Sequence, residues 1–137
     1  MEGLEDLFAN NRAWADAVKQ SDPLFFEKLA GQQSPEYLWI GCSDSRVPAN
    51  EIAGMMPGEI FVHRNIANLV PPYEIDGGQH GTSAAVEYAV TALKVAHLIV
   101  LGHSNCGGVK GCHDMCSGAA PELEEKSSFV GRWMDIL

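Results

Sequence analysis

Tyr37-Leu38-Trp39-Ile40-Gly41-Cys42-Ser43-Asp44-Ser45-Arg46-Val47-Pro48 runs from four apolar residues into a thiol, a carboxylate and a guanidinium within one short turn. Aromatic and β-branched residues ended by a glycine read as a buried strand and its terminus. Reactive groups placed directly after such a strand read as a site held on its end. Two further runs share the pattern. Ile60-Phe61-Val62-His63 follows Pro57-Gly58, and Leu98-Ile99-Val100-Leu101 precedes Gly102.

Helical patterns lie between these runs. Pro48 and Ala49 to Ala53 predict a short helix closed by Gly54, and Thr82 or Ser83 can cap a helix reaching about Val95. Arg64 to Gly78, with Pro71-Pro72 and Gly77-Gly78, reads as a long loop. Strands alternating with helices give an α/β fold with a central, mainly parallel sheet flanked by helices. Such sheets bind ligands beyond the carboxyl ends of their strands. Cys42 comes two residues after the first strand and His103 two after the third, with Cys106 three residues further on. If those strands are parallel neighbours, the three side chains converge, and two thiols with an imidazole are a good zinc set.

Other candidates are weaker. Cys106, Cys112 and Cys116, with His113 among them, match no common finger spacing, so Cys112 and Cys116 are expected to face core or solvent. His63, His80 and His97 have no partner in sequence and read as packed or surface histidines. Gly102-His103-Ser104-Asn105-Cys106-Gly107-Gly108 lacks the Gly-Lys-Ser/Thr ending of a phosphate-binding loop.

Residues 4 to 20 carry Leu4, Leu7, Phe8, Ala9, Trp14, Ala17 and Val18 at helical spacing, an amphipathic helix whose apolar face needs a partner surface. Ser21-Asp22-Pro23 starts a second, short helix over Leu24 to Ala30, stopped by Gly31. The chain's 137 residues, 46% of them hydrophobic, suit one domain over 1–137 with one modest core. The net charge of -9 argues against sequence-independent nucleic-acid binding, which rests on cations neutralising phosphates. No apolar run approaches the roughly 20 residues of a membrane helix. The acidic N-terminus lacks the regions of a secretory signal, so the four cysteines are expected to be reduced thiols in the cytoplasm.

Cys42-Ser43-Asp44-Ser45-Arg46 together with His103-Ser104-Asn105-Cys106-Gly107-Gly108 resembles the paired signature of the β-class carbonic anhydrases, and Gly58 to Asn68 is similar to that family as well. The resemblance runs from about Phe25 to Gly111. It implies zinc held by Cys42, His103 and Cys106, and a dyad of Asp44 and Arg46. In that dyad Asp44 either pairs with Arg46 or swings onto the metal and closes the site. It implies a substrate pocket touched by Gln33 and Gly107. In one bicarbonate-regulated subtype it also implies a regulatory bicarbonate near Trp39 and Arg64; core packing for Trp39 and an ion pair for Arg64 are the plainer alternatives.

The implied activity is that of a lyase: reversible hydration of carbon dioxide to bicarbonate and a proton by attack of zinc-bound hydroxide, with no organic cofactor. Two alternatives stand beside it, hydrolysis of carbon disulfide or carbonyl sulfide on the same fold, and a zinc-binding module without turnover. Family chains continue past the position of Leu137, so the expectation is a fold lacking its C-terminal strand and helices. A dimer or tetramer is implied too, with residues 1–31 packing on a partner subunit.

Overall fold

The computed structural model describes residues 3–137, which fall into two compact units, one ending at Gln33 and the other spanning Ser34–Leu137. In the first unit, α1 (Leu4–Ser21) is followed by α2 (Phe25–Gly31). Asp6 accepts the Gly3 N–H at 3.1 Å, placing a carboxylate in the positive first turn of α1. Asp22 starts α2 in the same manner, accepting the Leu24 N–H at 3.1 Å and pairing with Lys28 at 2.7 Å. Trp14 meets Phe26 edge to face, with ring centroids 6.0 Å apart.

The second unit is built on three parallel strands, β1 (Tyr37–Cys42), β2 (Ile60–Asn65) and β3 (His97–Leu101), in the order β2-β1-β3. The strand that carries the reactive turn at its end is therefore the central one. Leu38 and Ile40 are fully buried against Ala89, Phe61, Val86 and Val95, a face covered by α4 (Gly81–Glu87) and the π-helical turn Tyr88–Ala92. The short helix α3 (Ala49–Ala53) links β1 to β2. Burying each large apolar side chain contributes about 1.5–3 kcal/mol. The second cluster holds Cys42, Ala67, Leu69, Cys106 and Met134 beyond the strand ends.

Three local expectations need correction. β2 continues to Asn65, because Cys42 still pairs with Asn65 in the β1 register, and a 3₁₀ turn (Ile66–Asn68) follows where a loop from Arg64 is expected. Thr82 caps nothing: it is buried inside α4, and its hydroxyl meets His63 Nε2 at 2.9 Å and accepts from Asn65 Nδ2 at 3.2 Å. The helix expected to reach Val95 changes hydrogen-bond register at Tyr88 and ends before Lys94, which is left-handed at φ 55°.

After β3 come α5 (Gly107–Cys116), a 3₁₀ turn (Pro121–Leu123) and α6 (Phe129–Met134). Two glycines at its start hide α5 from a propensity reading. Close packing accounts for Gly108: a Cβ there would lie 2.8 Å from Ile66 Cγ2 and 2.9 Å from Ala67 Cβ. Ser128 caps α6 through the Gly131 N–H at 2.9 Å. Trp133 Nε1 donates to the Ile66 carbonyl at 2.7 Å and ties α6 to the same turn.

Candidate metal centre

Because β1 and β3 are parallel neighbours, with Gly41 opposite Leu101, the residues after each strand emerge at one sheet edge. Cys42 is the last residue of β1, His103 lies just past β3, and Cys106 is the N-cap residue of α5. Asn105, in the turn between them, is left-handed at φ 55°, a conformation that Asn tolerates better than most residues.

One ligand atom from each of Cys42, His103 and Cys106 lies within 4.8 Å of the others, and the two Sγ atoms are 3.9 Å apart. A tetrahedral ion with zinc–sulfur bonds of about 2.3 Å separates two thiolates by roughly 3.8 Å. The histidine supplies the stronger observation. Its Nδ1 faces the Ser104 carbonyl at 2.9 Å, while Nε2 is buried with no hydrogen-bond partner. Orphaned buried nitrogens are rare, and one on a ring that lies beside two thiols is placed to ligate a cation. The donor set fits zinc.

Cys42 is biased toward the thiolate. Burial works against ionisation, but the Asp44 N–H, His103, the Ala67 N–H and the Cys106 thiol together bring its pKa down to about 7. His103 is shifted up, first by the Cys42 sulfur. Beside them, Arg46 holds Asp44 with two parallel contacts, Nε to Oδ1 at 2.9 Å and a terminal nitrogen to Oδ2 at 2.6 Å. The Arg46 N–H adds a third at 2.9 Å. These donors hold the Asp44 carboxyl far below the usual carboxylate range. Arg46 also donates to the Asn105 carbonyl at 3.1 Å, tying the turn after β1 to the turn before α5. Asp44 Oδ2 remains 3.8 Å from His103 Nε2.

Carbonic anhydrase is the family whose profile matches residues 37–137, about three quarters of the chain. The chain belongs to the carbonic anhydrase family. Its relatives place it in the β class. A carbonic anhydrase of Emericella nidulans is 57% identical over 106 residues, covering 77% of this chain and 44% of that protein. Beta carbonic anhydrase 3 of Arabidopsis thaliana is 41% identical over 145 residues, covering 97% of this chain and 54% of the relative. The chain thus spans about half the length of these two relatives. Among solved structures, a tetrameric β-carbonic anhydrase of Sordaria macrospora superposes with a TM-score of 0.74 at 42% identity, over 96% of this chain and 73% of that one.

The other positions expected from the carbonic anhydrase resemblance are spread more widely. Gly107 lines a cleft of about 380 Å³ together with Cys42, Ser43, Asp44, Ile66, Gly108 and Val130. Gln33 belongs to the N-terminal unit and is exposed. Trp39 is buried in β1. Arg64 donates through Nε to the Cys42 carbonyl at 2.7 Å and through a terminal nitrogen to the Asp44 carbonyl, gripping the backbone of the reactive turn. Cys112 is half-buried and Cys116 exposed, both on α5. Asn65 and the Ile66–Asn68 turn reach the centre although, within the stretch Gly58 to Asn68 that resembles the family, no site role was expected of them. The pairing of Cys42 with Asn65, continued by the Ser43 N–H donating to the Asn65 carbonyl at 2.8 Å, brings them there. No helix among the described residues is long and apolar enough to cross a membrane.

Proposed function

We propose that this chain carries the zinc centre of a carbonic anhydrase, catalysing the reversible hydration of carbon dioxide to bicarbonate and a proton. The observation that carries the reading is the convergence of the Cys42, His103 and Cys106 ligand atoms within 4.8 Å of one another, with His103 Nε2 buried and without a hydrogen-bond partner. These three side chains would hold the metal. Zinc bound by them supplies a Lewis acid that brings the pKa of water down from about 15.7 toward neutrality, a behaviour best known from a carbonic anhydrase with three histidine ligands.

The chain's own groups do the rest. Arg46 retains Asp44 and keeps its carboxylate from closing the centre, which leaves a position open for water. Asp44, ionised throughout the physiological range, can only accept hydrogen bonds. It could therefore accept a hydrogen bond from the one O–H that remains after water has given up a proton to solvent buffer, and so turn an oxygen lone pair toward the carbon of carbon dioxide. The Ile66 and Val130 side chains give the cleft an apolar wall suited to a small uncharged substrate.

Further assignments belong to the same proposal. Gln33 is taken as a substrate-pocket residue on resemblance, so Gln33→Ala should raise KM. A homo-oligomer is supported by the tetrameric Sordaria macrospora relative, and a cytoplasmic setting by four free cysteines. Trp39 and Arg64 are assigned to bicarbonate regulation. Arg64 already grips the Asp44 carbonyl, so an anion that drew Arg64 away would disturb the Asp44–Arg46 pair. Trp39→Phe and Arg64→Ala should each weaken inhibition by bicarbonate, and unchanged inhibition in both removes this part.

Stopped-flow hydration of carbon dioxide by metal-analysed protein tests the main reading, with Cys106→Ser beside it. We expect one zinc per chain and turnover that rises through neutral pH, both lost in the variant. Bound zinc without hydration across pH ~7 to 9 would reject the enzyme in favour of a binding module.

A further inference from the structure

The reaction proposed above releases one proton per turnover, and the side chain best matched to accept it near neutral pH is a histidine. His63 is half-buried on the face of the sheet that carries Cys42. In the β1–β2 register it pairs with Ile40, and Asn65, two residues on, pairs with Cys42. Paired residues of a ladder share a face. Alternate residues of a strand are about 6.6 Å apart and neighbouring strands about 4.8 Å, so the Cα atoms of His63 and Cys42 stand roughly 8 Å from each other.

A polar line leads across that gap. Thr82 is buried on α4, with Oγ1 2.9 Å from His63 Nε2 and 3.2 Å from the Asn65 Nδ2 that donates to it. His63, Asn65 and Thr82 line a cleft of about 360 Å³ together with Ser43 and Ile66. Ser43 and Ile66 also line the cleft that holds Cys42 and Asp44, so the two clefts meet at those residues. A hydroxyl has one proton and two lone pairs. Asn65 takes one lone pair of Thr82, which leaves the other for water in the cleft and the proton for His63 Nε2. Burial lowers the His63 pKa from its ordinary value, which keeps the ring neutral at physiological pH and able to accept.

We infer that His63 is the proton acceptor of the reaction, reached from the metal centre through water in the two clefts and the Thr82 hydroxyl. Each cleft water passes on one proton as it receives another. The last of them gives its proton to Thr82 Oγ1 while the hydroxyl proton moves to His63 Nε2. The imidazolium then loses its Nδ1 proton to solvent buffer, so Thr82 ends as a hydroxyl and His63 as a neutral ring. The inference rests on the carbonic anhydrase reading above and adds the route by which the proton leaves. His63 stands away from the metal ligands, so its loss should slow proton removal without altering the encounter with carbon dioxide.

The test is stopped-flow hydration of carbon dioxide by the full, metal-analysed chain in weak and in strong buffer. His63→Ala should bind zinc as the parent does and keep kcat/KM. In weak buffer its kcat should fall about 10- to 100-fold, at or below the lower end of what a positioned acid or base contributes. Added imidazole should restore it. Thr82→Val, which cuts the line and leaves His63 in place, should lower kcat in the same way, whereas Thr82→Ser keeps the hydroxyl and should retain most of what Thr82→Val loses. A His63→Ala chain with parental kcat in weak buffer overturns the inference. So does a loss that falls equally on kcat and kcat/KM and resists imidazole, since that is a structural effect. Should His63→Ala fail to fold, the Thr82 pair decides: a kcat lower in Thr82→Val than in Thr82→Ser, in weak buffer alone, supports the inference, and equal values overturn it. A parent that binds zinc but hydrates no carbon dioxide overturns the enzyme reading itself. A parent that turns over beside an equally fast His63→Ala overturns only this inference, so the two failures are distinguishable.

Discussion

His80 and Asp76 show how a charge pair outside the metal centre should make stability depend on pH. The His80 Nε2 and Asp76 Oδ1 atoms lie 2.6 Å apart at the entry to α4, and Asp76 also accepts the Gly78 N–H at 2.8 Å. Asp76 raises the His80 pKa, assisted by Glu74, and His80 lowers that of Asp76. A raised histidine contributes fully below its unfolded value of about 6.5 and loses the contribution as pH climbs through the folded value. A lowered carboxylate contributes above about 3.9 and loses it as pH falls. The window of shared benefit is therefore roughly pH 4 to 6.5. Against Asp76→Asn, the parent's melting temperature should stand highest near pH ~5, with the margin closing toward pH ~9. A margin constant with pH would show the pair to be a neutral hydrogen bond. The sequence shows His80 as an isolated histidine, because nothing in Asp76-Gly77-Gly78-Gln79-His80 announces the loop geometry that brings the two together.

At the scale of elements, the three strands were legible as apolar runs with a glycine or proline close by, and α3 as a short segment set between Pro48 and Gly54. The convergence of Cys42, His103 and Cys106 was legible because a parallel sheet gathers at one edge the residues that leave its strands. The start of α5 was not, since helix propensity works against Gly107-Gly108 and the favourable terms are tertiary. α5 lies so close to the Ile66–Asn68 turn that a Cβ at position 108 would also sit 3.3 Å from the Ala67 nitrogen. Gly108→Ala would gain helix propensity worth about 0.8–1.0 kcal/mol. The overpacking costs about 1–3 kcal/mol, and of the two close neighbours the Ala67 Cβ at 2.9 Å is fixed by its own backbone and cannot rotate away. Overpacking wins, and chemical denaturation should show Gly108→Ala to be less stable than the parent. Gly107→Ala, where nothing lies within 4 Å of the added atom, serves as the control. A more stable Gly108→Ala would mean that α5 can withdraw from the turn without loss. The extension of β2 to Asn65 was hidden for a related reason: Arg64 and Asn65 carry no strand signal and are held in the sheet by Gly41 and Cys42 beside them.

For the whole molecule, the apolar layer over the sheet stops one strand short. Leu98 and Val100 lie opposite Leu38 and Ile40 in the β1–β3 register. The two β1 residues are fully buried beneath α4 and the π-helical turn, whereas Leu98 and Val100 are 48% and 49% exposed. β3 also has no partner on its outer edge among the described residues. Single exposed apolar side chains are ordinary, but two neighbours continuing a core face along an open strand edge invite another surface. The N-terminal unit exposes Leu4, Leu7, Phe8 and Trp14 along α1 as well. We expect the chain to self-associate, with an average mass that rises with concentration in sedimentation velocity. Lysines at a strand edge oppose pairing by charge and by the cost of burying an ammonium group. The double variant Leu98→Lys, Val100→Lys should therefore shift the distribution toward the smallest species, while its circular dichroism remains that of the parent. If the distribution is unchanged and a comparable lysine pair on the apolar face of α1, Leu7→Lys with Phe8→Lys, dissociates it instead, the contact is carried by the N-terminal helix rather than by the uncovered half of the sheet.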